Sequence, residues 1–122
     1  MASMEDLKHV AEIFVEGYAV NQMVQHLRTN DEKLNARFIN QSTRFLRRTG
    51  AALDSLGMEC VNLKGLPYTP ELPVTPLNLD DYQAEEVLFI HPVKRPVIKL
   101  KNSDTIILPG IVILISGKEL LQ

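Results

Sequence analysis

The chain of 122 residues has no tryptophan, a single cysteine and only 6% aromatic residues. One cysteine excludes a disulfide within the chain, which fits a reducing compartment. A formal net charge of -2 gives no general attraction to nucleic acid, and aromatic residues for base stacking are few. The totals therefore disfavour a nucleic-acid-binding protein and leave an ordinary globular chain that is 45% hydrophobic.

Long hydrophobic runs are also missing. The longest runs from Ile111 to Ile115, far too short to cross a bilayer. The segment from Met1 to Asp6 turns acidic at once and lacks the apolar stretch of a secretory signal. We therefore expect a cytoplasmic protein with no membrane partner.

Proline is absent from the first 57 residues, and all seven prolines follow. Apolar residues in that first part recur at three- and four-residue spacing, from Leu7 to Leu27 and from Leu34 to Leu56, which predicts two helical segments. The first has a wide apolar face with Gly17 in its middle. A close approach between helices would explain this glycine, and simple tolerance of it is the plainer alternative. The short polar break between the segments leaves two arrangements open, an antiparallel hairpin or one long bent helix.

Residues typical of helix ends mark both segments. Ser3 followed by Asp6 predicts a capping box at the first helix, and Thr29 or Asn30 is expected to cap the second. Gly57 stands where a C′ glycine would end the second helix.

After Gly57 the apolar period shortens towards two and turn residues become frequent, which predicts short strands in a small sandwich or partial barrel. The third predicted strand is expected to stop at Pro92, and the second to lie at a sheet edge because it contains prolines. The expected strands span 58–62, 72–77, 86–91, 96–101, 105–108 and 111–115. The fold class is therefore α+β, with a helical dimerisation segment at 1–57 and a small partner-binding β-domain at 58–122.

No residue set predicts catalysis, a metal site or a cofactor. The three histidines, His9, His26 and His91, are not at metal-ligand spacing, and Cys60 is expected to be a small buried side chain within a strand. The acidic pairs at 80–81 and 85–86 and the basic cluster at 44–48 are best explained as solvated surface. The chain is therefore expected to bind a partner and not to be an enzyme.

Lys94 and Arg95 lie between Pro92 and Pro96. Two prolines would stiffen an exposed basic tip suited to contact with a partner, although the same residues are also common in ordinary loops. Both interpretations stay open at this point.

The order of parts resembles GrpE, the nucleotide exchange factor of DnaK-type chaperones. Helices end at Leu56-Gly57 and are followed by a Gly-x-x-Tyr-x-Pro stretch at 65–70, a glutamate-led strand at 86–90 and a Pro-Gly-x-Val motif at 109–112. The resemblance covers about residues 45–115. It departs from the family in its short helical part, in Tyr68-Thr69-Pro70 where the family has Phe-Asp-Pro, and in lacking the arginine before the last strand.

The resemblance implies a homodimer whose β-domain binds the ATPase lobe of a chaperone and favours the open nucleotide cleft. By position, the residues expected to contact the partner are Tyr68, Glu71, Lys94 and Arg95. Those expected to mediate self-association are Phe14, Tyr18, Phe38 and Phe45, unless these aromatics form one chain's own core. The alternative is an adaptor or scaffold subunit that keeps a GrpE-like fold without exchange activity, which the missing family residues favour.

Overall fold

The computed structural model describes residues 3–27 and 29–121 and confirms an α+β architecture. Two long helices come first, and a compact region of short strands follows them along the chain. The helices are α1 (Met4–His26), α2 (Glu32–Ser55) and the short α3 (Gly117–Leu120), with a 3-10 turn at Leu79–Asp81. The strands are β1 (Met58–Val61), β2 (Val74–Pro76), β3 (Leu88–Arg95), β4 (Val97–Leu100), β5 (Ile106–Leu108) and β6 (Gly110–Ser116).

The two long helices form an antiparallel hairpin, which decides between the two arrangements left open by the sequence. Asn21 of α1 is buried against α2 and is only 4% exposed. Its Nδ2 donates to Ser42 Oγ at 3.0 Å and to Thr43 Oγ1 at 3.2 Å, while Gln25 Nε2 donates to its Oδ1 at 2.8 Å. Since a buried amide is costly unless it is bonded, this network fixes the register of α1 on α2.

The start of α1 and the end of α2 agree with the sequence prediction, and the start of α2 differs from it. Ser3 and Asp6 form the predicted capping box, and Gly57 has the positive φ of 78° expected after a helix. The N-cap of α2 is Asp31, whose carboxylate accepts a hydrogen bond from Leu34 N at 3.1 Å. The predicted caps, Thr29 and Asn30, do not have this role. The Thr29 hydroxyl instead donates to Asn35 Oδ1, near the start of α2, at 2.7 Å.

The strands form two three-stranded sheets, in the orders β1-β4-β5 and β2-β6-β3. Pairing is antiparallel except between β2 and β6, which are parallel. β2 is an edge strand, as its prolines predicted. The prediction that Pro92 ends the preceding strand is wrong, since β3 continues to Arg95 with register shifts after Ile90. β3 is also an edge strand, where a missing N–H is tolerated.

The hairpin and the first sheet share one hydrophobic core. Side chains from α1, α2, β1, β4 and β5 make a single buried cluster, namely Leu7, Ala11, Phe14, Val15, Leu53, Met58, Ile98, Ile107 and Leu108. A second cluster lies within the other sheet and contains Leu88, Ile90, Val112 and Leu114. The hairpin is thus held directly on the first sheet and has a fixed orientation relative to it.

The predicted burial of Cys60 is wrong, because this residue is exposed. Met58 and Cys60 point to the same side of β1, but only Met58 is covered by the shared core. Cys60 lies beyond that cover on an edge strand.

Candidate functional site

The four residues predicted to contact a partner do not form one site. Tyr68 lies in the long connection between β1 and β2, where its N–H donates to Leu88 O at 2.8 Å and its side chain packs on the second core cluster. Glu71 follows in the same connection and is exposed. Lys94 and Arg95 belong to β3 and lie at its far end from Leu88, where the register on β6 shifts.

The exposed basic tip suggested by Pro92 and Pro96 is not present, because Lys94 and Arg95 are strand residues. Arg95 Nε and Nη2 donate to Pro109 O at 3.0 and 2.8 Å, so the guanidinium is occupied within the chain. Lys94 is exposed and borders a shallow depression beside the second half of α1, near Met23 and His26. Of the two basic residues, only Lys94 is left free for a partner by these contacts.

The four aromatic residues predicted to mediate self-association fall into two groups. Phe14 is 7% exposed and belongs to the core shared by the hairpin and the first sheet. Tyr18 is half-buried, and its pKa is raised by burial and by the neighbouring Cys60, against the opposing effect of a hydrogen bond with Asn62. Both side chains therefore pack within one chain.

Phe38 and Phe45 behave differently, being 41% and 48% exposed. Each lies on the side of α2 that borders α1, and together with Ile13 and Val20 of α1 they flank an open groove along the hairpin. This hairpin groove has a volume of about 570 Å³ and is lined by Ile13, Glu16, Gly17, Val20, Val24, Phe38, Gln41, Ser42 and Phe45. Most of these side chains are apolar although they face solvent, which is typical of an interaction surface.

The floor of the hairpin groove is formed by Gly17. A Cβ atom built on Gly17 would lie 2.8 Å from Phe45 Cε1, closer than real Cβ contacts allow. The close helix approach predicted from a glycine in mid-helix is therefore confirmed. Its effect is to let the ring of Phe45 lie low between the helices with one face open to solvent.

Sequence reasoning missed Ile13 and Val20 as part of this surface. They are 52% and 51% exposed, and Met23 further along α1 and Leu27 just after it are exposed as well. The available signal was the apolar face of α1, which is wider than contact with α2 requires.

A second apolar hollow, of about 780 Å³, lies between the segment before β3 and α3. Val87, Phe89 and Leu121 border it together with charged Glu85, Glu86 and Lys118. This hollow does not include Phe38 or Phe45, and its borders are more polar than those of the hairpin groove. We therefore take the hairpin groove as the main candidate site.

The chemistry of the remaining polar residues is limited. Within residues 3–27 and 29–121, no group of three His, Cys, Asp or Glu side chains is arranged to hold a metal ion. The Cys60 thiol is partly desolvated although the residue is exposed, and this burial raises its pKa to about 11. A thiol with so high a pKa is mostly protonated near neutral pH and is a poor nucleophile.

No protein-family model, curated protein or solved structure matches this chain. None of the helices in the described part of the chain is both long and apolar enough to cross a bilayer.

Proposed function

We propose that this chain is a non-enzymatic protein-interaction module that self-associates through the hairpin groove and presents its β-domain to a protein partner, in the cytoplasm. The observation that carries the proposal is the exposure of Phe38 and Phe45 beside Ile13 and Val20. Large apolar side chains gathered in one concave strip are costly to hydrate, and covering them by another protein surface removes that cost.

The more specific form of this proposal is a GrpE-like exchange factor for a DnaK-type ATPase. Two observations support it: the resemblance of residues 45–115, and the firm attachment of the hairpin to the first sheet through Leu53 and Met58. A rigid β-domain could stabilise the open form of a nucleotide cleft by binding it better than the closed form, which requires no covalent step. Tyr68, Glu71 and Lys94 are the proposed contacts, with Arg95 contributing only if it leaves Pro109.

The alternative is an adaptor subunit without exchange activity. It is favoured by the separation of the four predicted contact residues and by the internal hydrogen bonds of Arg95 to Pro109. An adaptor would bind a stable protein partner through other parts of the β-domain surface and leave nucleotide release unchanged.

The two forms are separated by purifying the tagged protein with its bound partners and measuring ADP release from a recovered DnaK-type ATPase. The exchange-factor form predicts faster release with the wild type and loss of that acceleration in Lys94→Glu. Lys118→Glu is the matched control, since Lys118 is also exposed but belongs to α3. A stable complex without such an ATPase, or release that is unaffected by the protein, supports the adaptor instead.

A further inference from the structure

The two outer borders of the hairpin groove carry opposite charge. On α2, Arg37 and Arg44 each precede a groove phenylalanine by one residue, and Arg48 follows Phe45 by three. With 3.6 residues per turn, these three side chains project from the side of α2 that is turned away from α1. They are all exposed, and we call them the basic border.

The corresponding side of α1 is acidic. Glu16 lines the groove next to Gly17, and Glu5 and Glu12 lie on the same outer side of the helix by the same helical geometry. All three are exposed and form what we call the acidic border. Within the described residues, the ion pairs are Lys99–Glu59 and Lys101–Asp54, so no side chain of either border is held in an ion pair. Lys8 and Arg95 line a shallow hollow beside Glu12 and Glu16 without pairing with them.

We infer that the hairpin groove binds the same groove of a second copy, with α1 of each chain lying antiparallel on α2 of the other. This inference rests on the proposed function only in its premise that the chain self-associates. Charge complementarity favours a second copy as the occupant of the groove. The same surface has an acidic border on one side of its apolar strip and a basic border on the other, so two copies can match each acidic border with a basic one.

The direction of the two-fold axis decides which borders meet. An axis parallel to the helices brings α1 of one chain over α2 of the other, so that the acidic border faces the basic border twice. An axis perpendicular to the helices in the plane of the interface brings like helices together, so that arginines face arginines and glutamates face glutamates. Like charges in an interface are unfavourable, which selects the parallel axis.

The register within one hairpin identifies the residues that meet. The Cβ position of Gly17 is close to Phe45 and lies 3.9 Å from Thr49 Oγ1. Gly17 is therefore level with a point between Phe45 and Thr49, and because the helices are antiparallel, the preceding residue Glu16 is level with about Arg48. A two-fold axis parallel to the helices preserves this height, so Glu16 of one chain faces Arg48 of the other, while Phe45 meets Val20 of the other chain.

Charge reversal tests the pairing in the full-length chain. Glu12→Arg/Glu16→Arg makes both borders basic, and Arg44→Glu/Arg48→Glu makes both acidic. Sedimentation of each variant alone is expected to show a dimer dissociation constant raised by about tenfold or more, and an equimolar mixture is expected to recover dimerisation. Arg47→Glu is the control, because Arg47 adjoins Arg48 but lies about 160° around α2 from Phe45 and so projects away from the groove.

Disulfide trapping tests the orientation without disturbing the charge on most of the surface. In a Cys60→Ser background, Glu16→Cys and Arg48→Cys proteins are expected to cross-link when mixed. A Glu16→Cys protein that cross-links to itself equally well would overturn the orientation. The pairing would be overturned if the border variants dimerise like the Arg47→Glu control. It would also be overturned if the wild type stays monomeric at every concentration. The ADP-release assay reports on the proposed function separately.

Discussion

The ring of Phe45 lies against the backbone of Gly17, so closely that a Cβ at position 17 would be 2.8 Å from Cε1 and 2.9 Å from Cδ1 of the ring. This contact joins α1 to α2 in the hairpin groove and keeps the ring below the rim of the groove. The side chain is still 48% exposed, so its outer face is available to another molecule.

Gly17→Ala is expected to weaken self-association more than folding. The new methyl group would push the ring of Phe45 outward, while alanine gains about 1 kcal/mol of helix propensity and offsets much of the lost contact. We expect the free energy of unfolding to change by no more than about 1 kcal/mol, with a clearly higher dimer dissociation constant. Denaturant unfolding and sedimentation measure the two effects.

Gly50→Ala is the matched control, since a Cβ there would lie 3.4 Å from Phe14 Cε1 and fits with little adjustment. It is expected to stabilise α2 slightly and to leave the dimer unchanged. A Gly17→Ala protein with wild-type self-association would show that the position of the Phe45 ring is unimportant for the interface.

Asn21→Ala is expected to destabilise the fold by about 1–3 kcal/mol. The change removes the bonds to Ser42, Thr43 and Gln25 and leaves a small void between the helices. Urea unfolding followed by circular dichroism measures the loss. Asn40→Ala serves as the control because Asn40 is exposed on α2, and an equal effect of the two substitutions would contradict the role assigned to the buried network.

Asp31→Ala is expected to cost about 1 kcal/mol, because it removes the N-cap bond to Leu34 N. Asn30→Ala is expected to have almost no effect, although Asn30 was one of the caps predicted from the sequence. Thermal unfolding of the pair compares the two assignments directly, and a greater loss in the Asn30 variant would favour the sequence-based cap.

Cys60 is expected to react slowly with thiol reagents near neutral pH, despite being exposed. Partial burial raises the pKa of its thiol from 9.0 to about 11, so the thiolate is about a hundredfold scarcer than in the unfolded chain. The rate of reaction with a disulfide reagent should rise steeply with pH, and denaturant should abolish the difference. Equal rates for the folded and unfolded protein would contradict the raised pKa.

The same shift has a consequence for stability. The folded-state pKa is above the unfolded value, so the protonated thiol contributes its full stabilisation below the unfolded pKa of 9.0 and loses it as the pH rises through about 11. Cys60→Ser should remove this part of the alkaline loss of stability, which unfolding curves across that pH range would reveal.

The sequence predicted the helices and strands better than the exposure of individual side chains. Apolar spacing and the position of Gly57 were enough for both long helices, and prolines correctly indicated that β2 is an edge strand. Pro92 misled because it was taken only as the end of a strand, whereas an edge strand with register shifts can include a proline.

Exposure was the harder property to predict. Phe14 and Phe45 occur in similar helical patterns, yet one is buried beneath the first sheet and the other borders an open groove. Cys60 follows Met58 by the period of a strand, but the shared core covers only Met58. Such differences depend on where the hairpin lies on the sheet, which is a property of the tertiary structure.

The core shared by the hairpin and the first sheet joins residues that are far apart in the chain, with Leu7 and Ile107 in one cluster. During synthesis on the ribosome, the hairpin is therefore made well before β4 and β5, which complete its cover. Until those strands have emerged, the apolar faces of Leu7, Phe14 and Leu53 have no sheet to pack on and are open to aggregation. Strands β4 and β5 thus set the moment at which the two long helices become protected.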